Sequence, residues 1–221
     1  MNKIGFDNKK YLSLQSEKIE ERIQSFGDKL YLEFGGKLFD DYHASRVLPG
    51  FEPDSKIKML LKLKDVAEIL VVISANDIIK NKYRSDLGIT YDADVIRLID
   101  VFKSKGLYVG SVVMTMYNAQ PAVDGFIKRL NNLGINVYKH YAIEGYPSDV
   151  QKIVSEEGYG KNEYVPTTRP LVVVTAPGPG SGKMATCLSQ LYHENLRGVK
   201  AGYAKFETFP FGICPFPTPS T

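Results

Sequence analysis

Apolar residues recur along this chain in two kinds of run that alternate almost throughout. Helical spacing of apolar residues occurs in the segments 13–25, 54–61, 92–105, 121–130, 148–154 and 185–196. Short apolar runs lie between them, at 30–34, 68–73, 107–117, 135–141, 171–174 and 201–208. Such runs are typical of strands in a parallel sheet. The alternation predicts an α/β fold with a mostly parallel, doubly wound sheet, Rossmann-like or P-loop-like, with helices on both faces.

The run from Leu171 to Met184 predicts a strand, a glycine-rich loop and a helix in succession. Glycines let the loop turn sharply, and a lysine enters the first helical turn. Loop N–H groups, a helix N-terminus and an ammonium group then converge above the strand end, which favours binding of a phosphate. The predicted phosphate-binding residues of this loop are Gly178, Gly180, Ser181, Gly182 and Lys183.

The P-loop pattern, G-x-x-x-x-G-K-[ST], is matched only in part. Pro177 stands at its first glycine, and Met184 stands at the serine or threonine that would hold magnesium. Thr186 does not replace that hydroxyl, because two residues along a helix rotate a side chain by about 200°. Ser181 is the better candidate for contact with a phosphate or a metal-bound water. Two alternatives stay open: the glycines form only a tight corner beside a solvated Lys183, or the loop binds another kind of ligand.

Candidate catalytic residues lie at two further places in the sequence. Asp77 follows a buried strand, where a P-loop protein would hold magnesium-bound water, although capping of the next turn is the interpretation we favour. His43 and Arg46 lie in a long segment, 37–53, that lacks clean periodicity, and long loops often carry function. A solvated surface is the alternative for both. The candidate catalytic residues are therefore Lys183, Asp77 and His43, with Arg46 as a further phosphate contact.

Composition narrows the class of protein. The 221 residues carry 28 basic and 25 acidic side chains, a formal net charge of +3, which gives no general argument for a nucleic-acid or membrane partner. No apolar run approaches the roughly 18 residues of a membrane span, and the N-terminus lacks a signal-peptide core. Cys187, Cys214 and the three histidines have no metal-ligand spacing, so no metal site is predicted. We expect a cytoplasmic protein.

The predicted domain organisation is simple. Residues 1–210 are expected to form a single α/β domain, because strands and helices alternate through them without a repeat. Residues 211–221 are rich in proline and are expected to form an irregular tail, since proline neither continues a helix nor pairs in a central strand.

Nearly the whole chain resembles the N-terminal part of the UPF 0371 family, bacterial proteins grouped as a domain of unknown function. The resemblance is carried by VVVTAPGPGSGKMATC at 172–187 and HASRVLPGF at 43–51, together with the segments 5–8, 76–78, 86–91 and 200–210. It implies a cytoplasmic α/β protein whose degenerate loop belongs to the family pattern, and it implies no activity. Family chains continue well beyond this length. We expect the resemblance to end at Phe211, with an aberrant or truncated C-terminus beyond it.

Different classes of function fit these patterns. The first is an enzyme, a hydrolase or transferase acting on a nucleotide with magnesium or on another phosphorylated small molecule. Lys183 would then stabilise phosphate charge, and Asp77 or the segment with His43 and Arg46 would supply an acid, a base or a second anion contact. The alternatives are a non-catalytic ligand-binding or assembly module and an inactive truncated fragment. The expected partner is a phosphorylated small molecule, without nucleic acid or membrane, and a homo-oligomer is allowed for.

Overall fold

The computed structural model describes residues 6–35, 38–39, 46 and 49–206. Within these residues, six parallel strands form one sheet and two short strands form a separate antiparallel hairpin. The strands are β1 (Lys29–Phe34), β2 (Ala67–Ser74), β3 (Tyr83–Arg84), β4 (Ile89–Thr90), β5 (Tyr108–Thr115), β6 (Asn136–Lys139), β7 (Leu171–Thr175) and β8 (Ala201–Phe206).

The helices of the described residues alternate with these strands. They are α1 (Asn8–Phe26), α2 (Ser55–Lys62), α3 (Ala75–Ile79), α4 (Tyr91–Ser104), α5 (Pro121–Asn132), α6 (Val150–Ile153) and α7 (Lys183–Leu196), with a 3-10 turn at Tyr159–Lys161. The mostly parallel α/β fold predicted from the sequence is confirmed. None of these helices combines the length and the apolar character that crossing a membrane requires.

Capping residues set several of the helix ends. Asp7 accepts a hydrogen bond from the Lys10 backbone N–H at 3.0 Å, and α1 therefore begins earlier than its apolar periodicity predicts. Pro121 opens α5, where its fixed φ suits the first helical turn. Asp149, and not the neighbouring Ser148, caps α6, because its carboxylate accepts from the Lys152 backbone N–H at 3.1 Å.

The sheet has the strand order β6-β5-β2-β7-β1-β8, so β7 lies between β2 and β1. The chain leaves β2 towards β5 and leaves β7 towards β8, in opposite directions along the sheet. Two neighbouring strands whose connections diverge leave a crevice outside their carboxyl ends, which is where ligands bind in open α/β sheets. The glycine loop after β7 borders this crevice.

The two faces of β7 show how the sheet is covered. Leu171 and Val173 pack in the larger core cluster, to which α1, α2, α4 and α5 contribute. Val172 and Val174 point to the opposite face and pack with Cys187 of α7. All four strand side chains are fully buried, as expected of a central parallel strand. Burial of each contributes about 1.5–3 kcal/mol, which fixes the strand beneath the glycine loop.

Candidate functional site

The glycine loop, residues 176–182, connects β7 to α7 and needs its glycines for two different reasons. Gly180 and Gly182 have φ angles of 79° and 92°, in the left-handed region that favours glycine. At Gly178 the reason is space, because a Cβ atom there would lie 2.2 Å from the Tyr91 hydroxyl oxygen. The predicted succession of strand, loop and helix is therefore present, with Gly182 as the N-cap of α7.

Hydrogen bonds from neighbouring elements hold the loop in place. The Thr115 hydroxyl, at the end of β5, donates to the Ser181 carbonyl at 2.6 Å. The Lys82 ammonium donates to the Pro179 carbonyl at 3.4 Å. Ser181 is only 1% exposed, and its hydroxyl donates to the Gly178 carbonyl at 3.3 Å. In this conformation the Ser181 side chain stabilises the loop itself.

A cavity of about 640 Å³, which we call the loop cleft, lies over residues 177–180. The ends of β1 and β8, the β3–β4 hairpin and the first residue of α7 complete its walls. Its charged groups come from distant parts of the sequence. Glu33 and Lys205 are register partners on β1 and β8, and Lys183 enters from α7.

Lys183 places a positive charge in the loop cleft. Its side chain is half-buried, and burial lowers the pKa of its ammonium group; nearby Lys205 acts in the same direction and Glu33 opposes it. Among the described residues, no carboxylate is close enough to form an ion pair with Lys183. A poorly solvated ammonium group at a helix N-terminus gains from a bound anion.

Arg84 also lines the loop cleft, but its charge is already paired. Its guanidinium contacts the Asp94 carboxylate at 2.8 Å and the Asp86 carboxylate at 2.8 Å. The side chain is buried, and Asp94, on α4, is completely so. Arg84 therefore fixes the β3–β4 hairpin against α4 and shapes the wall of the cleft, while Lys183 supplies positive charge there.

Asp77 lies in α3, close to the loop but outside the walls of the cleft. Ser74, rather than Asp77, caps that helix through a hydrogen bond from the Asn76 backbone N–H. One Asp77 oxygen is 3.1 Å from the Lys82 ammonium, which in turn contacts the Pro179 carbonyl. The other oxygen is buried and has no hydrogen-bond partner among the described residues. Asp77 thus contacts the loop indirectly, through Lys82.

The remaining candidates, His43 and Arg46, are not among the described residues that line the loop cleft. His43 lies outside the described residues. Arg46 is described and exposed. Burial raises the pKa of the Cys187 thiol well above its usual value, which makes that cysteine unreactive. In the described ranges, no three His, Cys, Asp or Glu side chains come together in a way that could hold a metal ion.

Several residues that line the loop cleft were missed by the sequence analysis, among them Glu33 and Lys205. Glu33 had a signal, because a carboxylate within the apolar run 30–34, two residues before Gly35, is unusual in a buried strand. Its carboxylate accepts a hydrogen bond from the Tyr203 hydroxyl at 2.6 Å. Lys205 had no comparable signal, because its place in the cleft depends on β8 pairing with β1.

Comparisons with known proteins give a consistent result along the chain. The family model described as "Domain of unknown function DUF1846, N-terminal" matches residues 4–219. A UPF0371 protein of Streptococcus pyogenes serotype M5 (strain Manfredo) is 59% identical over 219 residues, which are 99% of this chain and 44% of that relative. A UPF0371 protein of Streptococcus equi subsp. zooepidemicus (strain MGCS10565) is 58% identical over the same shares.

These matches also bear on the C-terminal residues. The chain spans less than half the length of the curated relatives it matches, 44% in the cases above. From the sequence we expected the similarity to end at Phe211. The family match continues to residue 219, so that expectation was wrong and the similarity includes most of the proline-rich tail.

Proposed function

This chain belongs to the family that shares the DUF1846 domain of unknown function, and we propose that it binds a phosphorylated small molecule at the glycine loop. The observation that carries the proposal is the half-buried Lys183 ammonium group, which lies in the loop cleft at the first residue of α7 without an ion-pair partner among the described residues. A phosphate there would meet loop N–H groups, the helix N-terminus and this ammonium group together.

The position of the loop in the sheet supports the same proposal. It borders the crevice between the diverging connections of β2 and β7. Its backbone is held by Thr115 and Lys82, so the loop is ordered before a ligand arrives. A preorganised loop loses little conformational entropy on binding, which favours affinity.

Calorimetric titration with inorganic pyrophosphate tests the proposal. Lys183→Ala removes a charge-assisted contact worth about 1.5–3 kcal/mol, so binding should weaken roughly ten- to a hundred-fold. The free energy of unfolding should change by less than about 0.5 kcal/mol, because alanine is a good helix former.

Lys128→Ala is the matched control, since Lys128 is an exposed lysine of α5 and its removal changes the net charge equally. It should bind pyrophosphate as the wild type does. Equal affinity in wild type and Lys183→Ala, or no binding by the wild type, would contradict the proposal and leave the glycines as a structural corner.

A second candidate function is catalysis, as a hydrolase or transferase acting on a nucleotide with magnesium. The observation that favours it is the buried Asp77 oxygen without a described partner, on a carboxylate that Lys82 links to the loop. Asp77 would orient magnesium-bound water, and Lys183 with the loop amides would stabilise charge on the transferred phosphate. His43 stays a candidate acid or base.

Release of inorganic phosphate from nucleoside triphosphates with magnesium tests catalysis. Asp77→Asn should lower the rate by at least about tenfold while pyrophosphate affinity is kept, because the asparagine amide oxygen can still accept a hydrogen bond from Lys82, which contacts the loop. No release by the wild type, together with retained pyrophosphate binding, would favour the alternative of a non-catalytic binding or assembly module.

The setting of this function is part of the proposal. We place it in the cytoplasm. We propose a small-molecule partner without nucleic acid or membrane, because the charge of the chain is nearly balanced. The chain spans 44% of the length of its relatives. For the longer proteins, too, phosphate binding at the glycine loop is a proposal. Assembly into a homo-oligomer is to be measured by analytical ultracentrifugation.

A further inference from the structure

A second cavity, of about 270 Å³, lies on the other side of the glycine loop from the loop cleft. We call it the tyrosine pocket, because Tyr141, Tyr146 and Tyr159 line it. The ends of β5 and β6 and the first turn of α7 form its other walls. Gly180 borders both cavities, so the two adjoin at the glycine loop.

The tyrosine pocket differs from the loop cleft in charge. No lysine, arginine, aspartate or glutamate is found among the described residues that line it. His140 contributes to its wall, and burial lowers the pKa of that imidazole to about 4, so the ring is neutral near pH 7. The pocket therefore suits an uncharged group, whereas the cleft with Lys183 suits an anion.

One buried polar group of the pocket has no partner. Thr186, on α7, lines the pocket and is 0% exposed, yet its hydroxyl makes no hydrogen bond among the described residues. The Asn162 amide, also in the wall, already has partners. Its oxygen accepts a hydrogen bond from the Tyr141 backbone N–H at 2.8 Å, and its nitrogen donates to the Ser189 hydroxyl at 3.0 Å. Buried hydroxyls are normally hydrogen-bonded, so Thr186 points to a ligand atom that completes the site.

We propose that the tyrosine pocket binds the base of a nucleoside phosphate whose phosphate group lies at the glycine loop, with the Thr186 hydroxyl hydrogen-bonded to a nitrogen or oxygen of that base. The inference rests on the proposed function and narrows its ligand to a nucleotide. A nucleobase is flat, uncharged and edged with hydrogen-bonding atoms, which matches the aromatic walls and the buried Thr186 hydroxyl without a partner.

Calorimetric titration of the full chain with ribose 5-phosphate and the four nucleoside 5′-monophosphates tests this inference. At least one nucleotide should bind roughly tenfold or more tightly than ribose 5-phosphate, which is the size of effect that base stacking gives. Thr186→Val and Tyr146→Leu should abolish that preference and leave ribose 5-phosphate binding unchanged. Thr186→Ser and Tyr146→Phe, which keep the hydroxyl and the ring, should retain it, and thermal melts of all four variants check folding.

The outcomes separate the two proposals. Equal affinity for nucleotides and ribose 5-phosphate, both lost in Lys183→Ala, would overturn the nucleobase inference and leave phosphate binding intact. A preference that persists in Thr186→Val and Tyr146→Leu would also overturn it, because the base would then lie elsewhere. No binding of any of these compounds or of pyrophosphate would overturn the proposed function and the inference together.

Discussion

At Gly178, the addition of a single methyl group would disturb the geometry of the loop. A Cβ atom there would lie 2.2 Å from the Tyr91 hydroxyl oxygen and 2.7 Å from the ring carbon that carries it. Because Tyr91 is buried at the start of α4, it has little room to move away. The close approach of α4 to the loop thus depends on glycine, independently of any left-handed φ angle.

We therefore expect Gly178→Ala to lower the free energy of unfolding by about 1–3 kcal/mol, as overpacking does, and to weaken pyrophosphate binding. Urea denaturation and calorimetric titration measure the two effects. Gly125→Ala is the control, because Gly125 lies within α5 with open space around its Cβ position; that change should stabilise by about 0.5–1 kcal/mol. Wild-type stability in Gly178→Ala would mean that Tyr91 does not fix the loop.

His140 makes stability depend on pH. Burial lowers its pKa from 6.5 to about 4, although the Glu163 carbonyl, which accepts a hydrogen bond from its Nε2–H at 3.1 Å, opposes that shift. Below pH 6.5 the unfolded chain takes up a proton at this residue, while the folded chain does so only near pH 4. The stability contribution is therefore complete above pH 6.5 and is lost as the pH falls towards 4, by roughly 3 kcal/mol.

Urea denaturation, repeated at steps of about half a pH unit between about pH 7.5 and about pH 4.5, tests whether the free energy of unfolding falls towards acid. The wild type should lose stability towards acid more steeply than His140→Gln, whose amide can still donate to the Glu163 carbonyl. The difference between the two curves reports the charge change at His140. Parallel curves would show that the imidazole is not kept neutral by burial.

At the scale of elements, Thr115 ties β5 to the glycine loop. Its hydroxyl donates to the Ser181 carbonyl at 2.6 Å, and its side chain also packs against Gly182. Thr115→Val keeps the shape but leaves that buried carbonyl without this donor, so the free energy of unfolding should fall by about 1–3 kcal/mol. Pyrophosphate binding should weaken as well, because the loop loses an anchor.

Thr115→Ser is the matched variant, since it restores the hydroxyl and removes only a methyl group. It should recover most of the pyrophosphate affinity in titration and most of the stability in urea denaturation. If valine and serine at this position behave alike in both measurements, the hydrogen bond to the loop is unimportant and packing alone accounts for Thr115.

The elements that could be predicted from the sequence are those whose signal is local. β7 has a continuous apolar run, and α5 has helical periodicity between Pro121 and Gly134, so both were predicted close to their observed bounds. The β3–β4 hairpin was missed because its strands have two residues each. It is held by the Arg84–Asp94 contact, a tertiary interaction that no local pattern reveals.

The candidate site was predicted unevenly for the same physical reason. The glycine loop has a compact sequence signature, and its strand–loop–helix context is confirmed. Glu33 and Lys205 belong to strands that are distant in sequence, and they meet only because β8 lies beside β1. The tyrosine pocket likewise depends on strand order, since β5 and β6 lie on the opposite side of β7 from β1. Strand order is set by tertiary packing rather than by local pattern.

At the scale of the whole molecule, β8 marks the edge of the described sheet. Phe206 at its end is buried and stacks on Phe34 of β1, with ring centroids 4.7 Å apart. Six residue pairs join the two strands, from Lys29–Ala201 to Phe34–Phe206. The proline-rich residues after 210 have no strand or helix periodicity. We propose that residues 1–210 fold as one domain without the tail.

We expect a chain ending at Pro210 to melt within about 2–4 °C of the full chain, the shift that 1 kcal/mol produces at this size. A chain ending at Lys200 should melt far lower or fail to fold, because it lacks β8 and exposes the edge of β1. Calorimetry of the three chains measures both effects. A large loss in the 210-residue chain would show that the tail packs on the domain, and it would place residues 211–219, which the family match includes, within the folded unit.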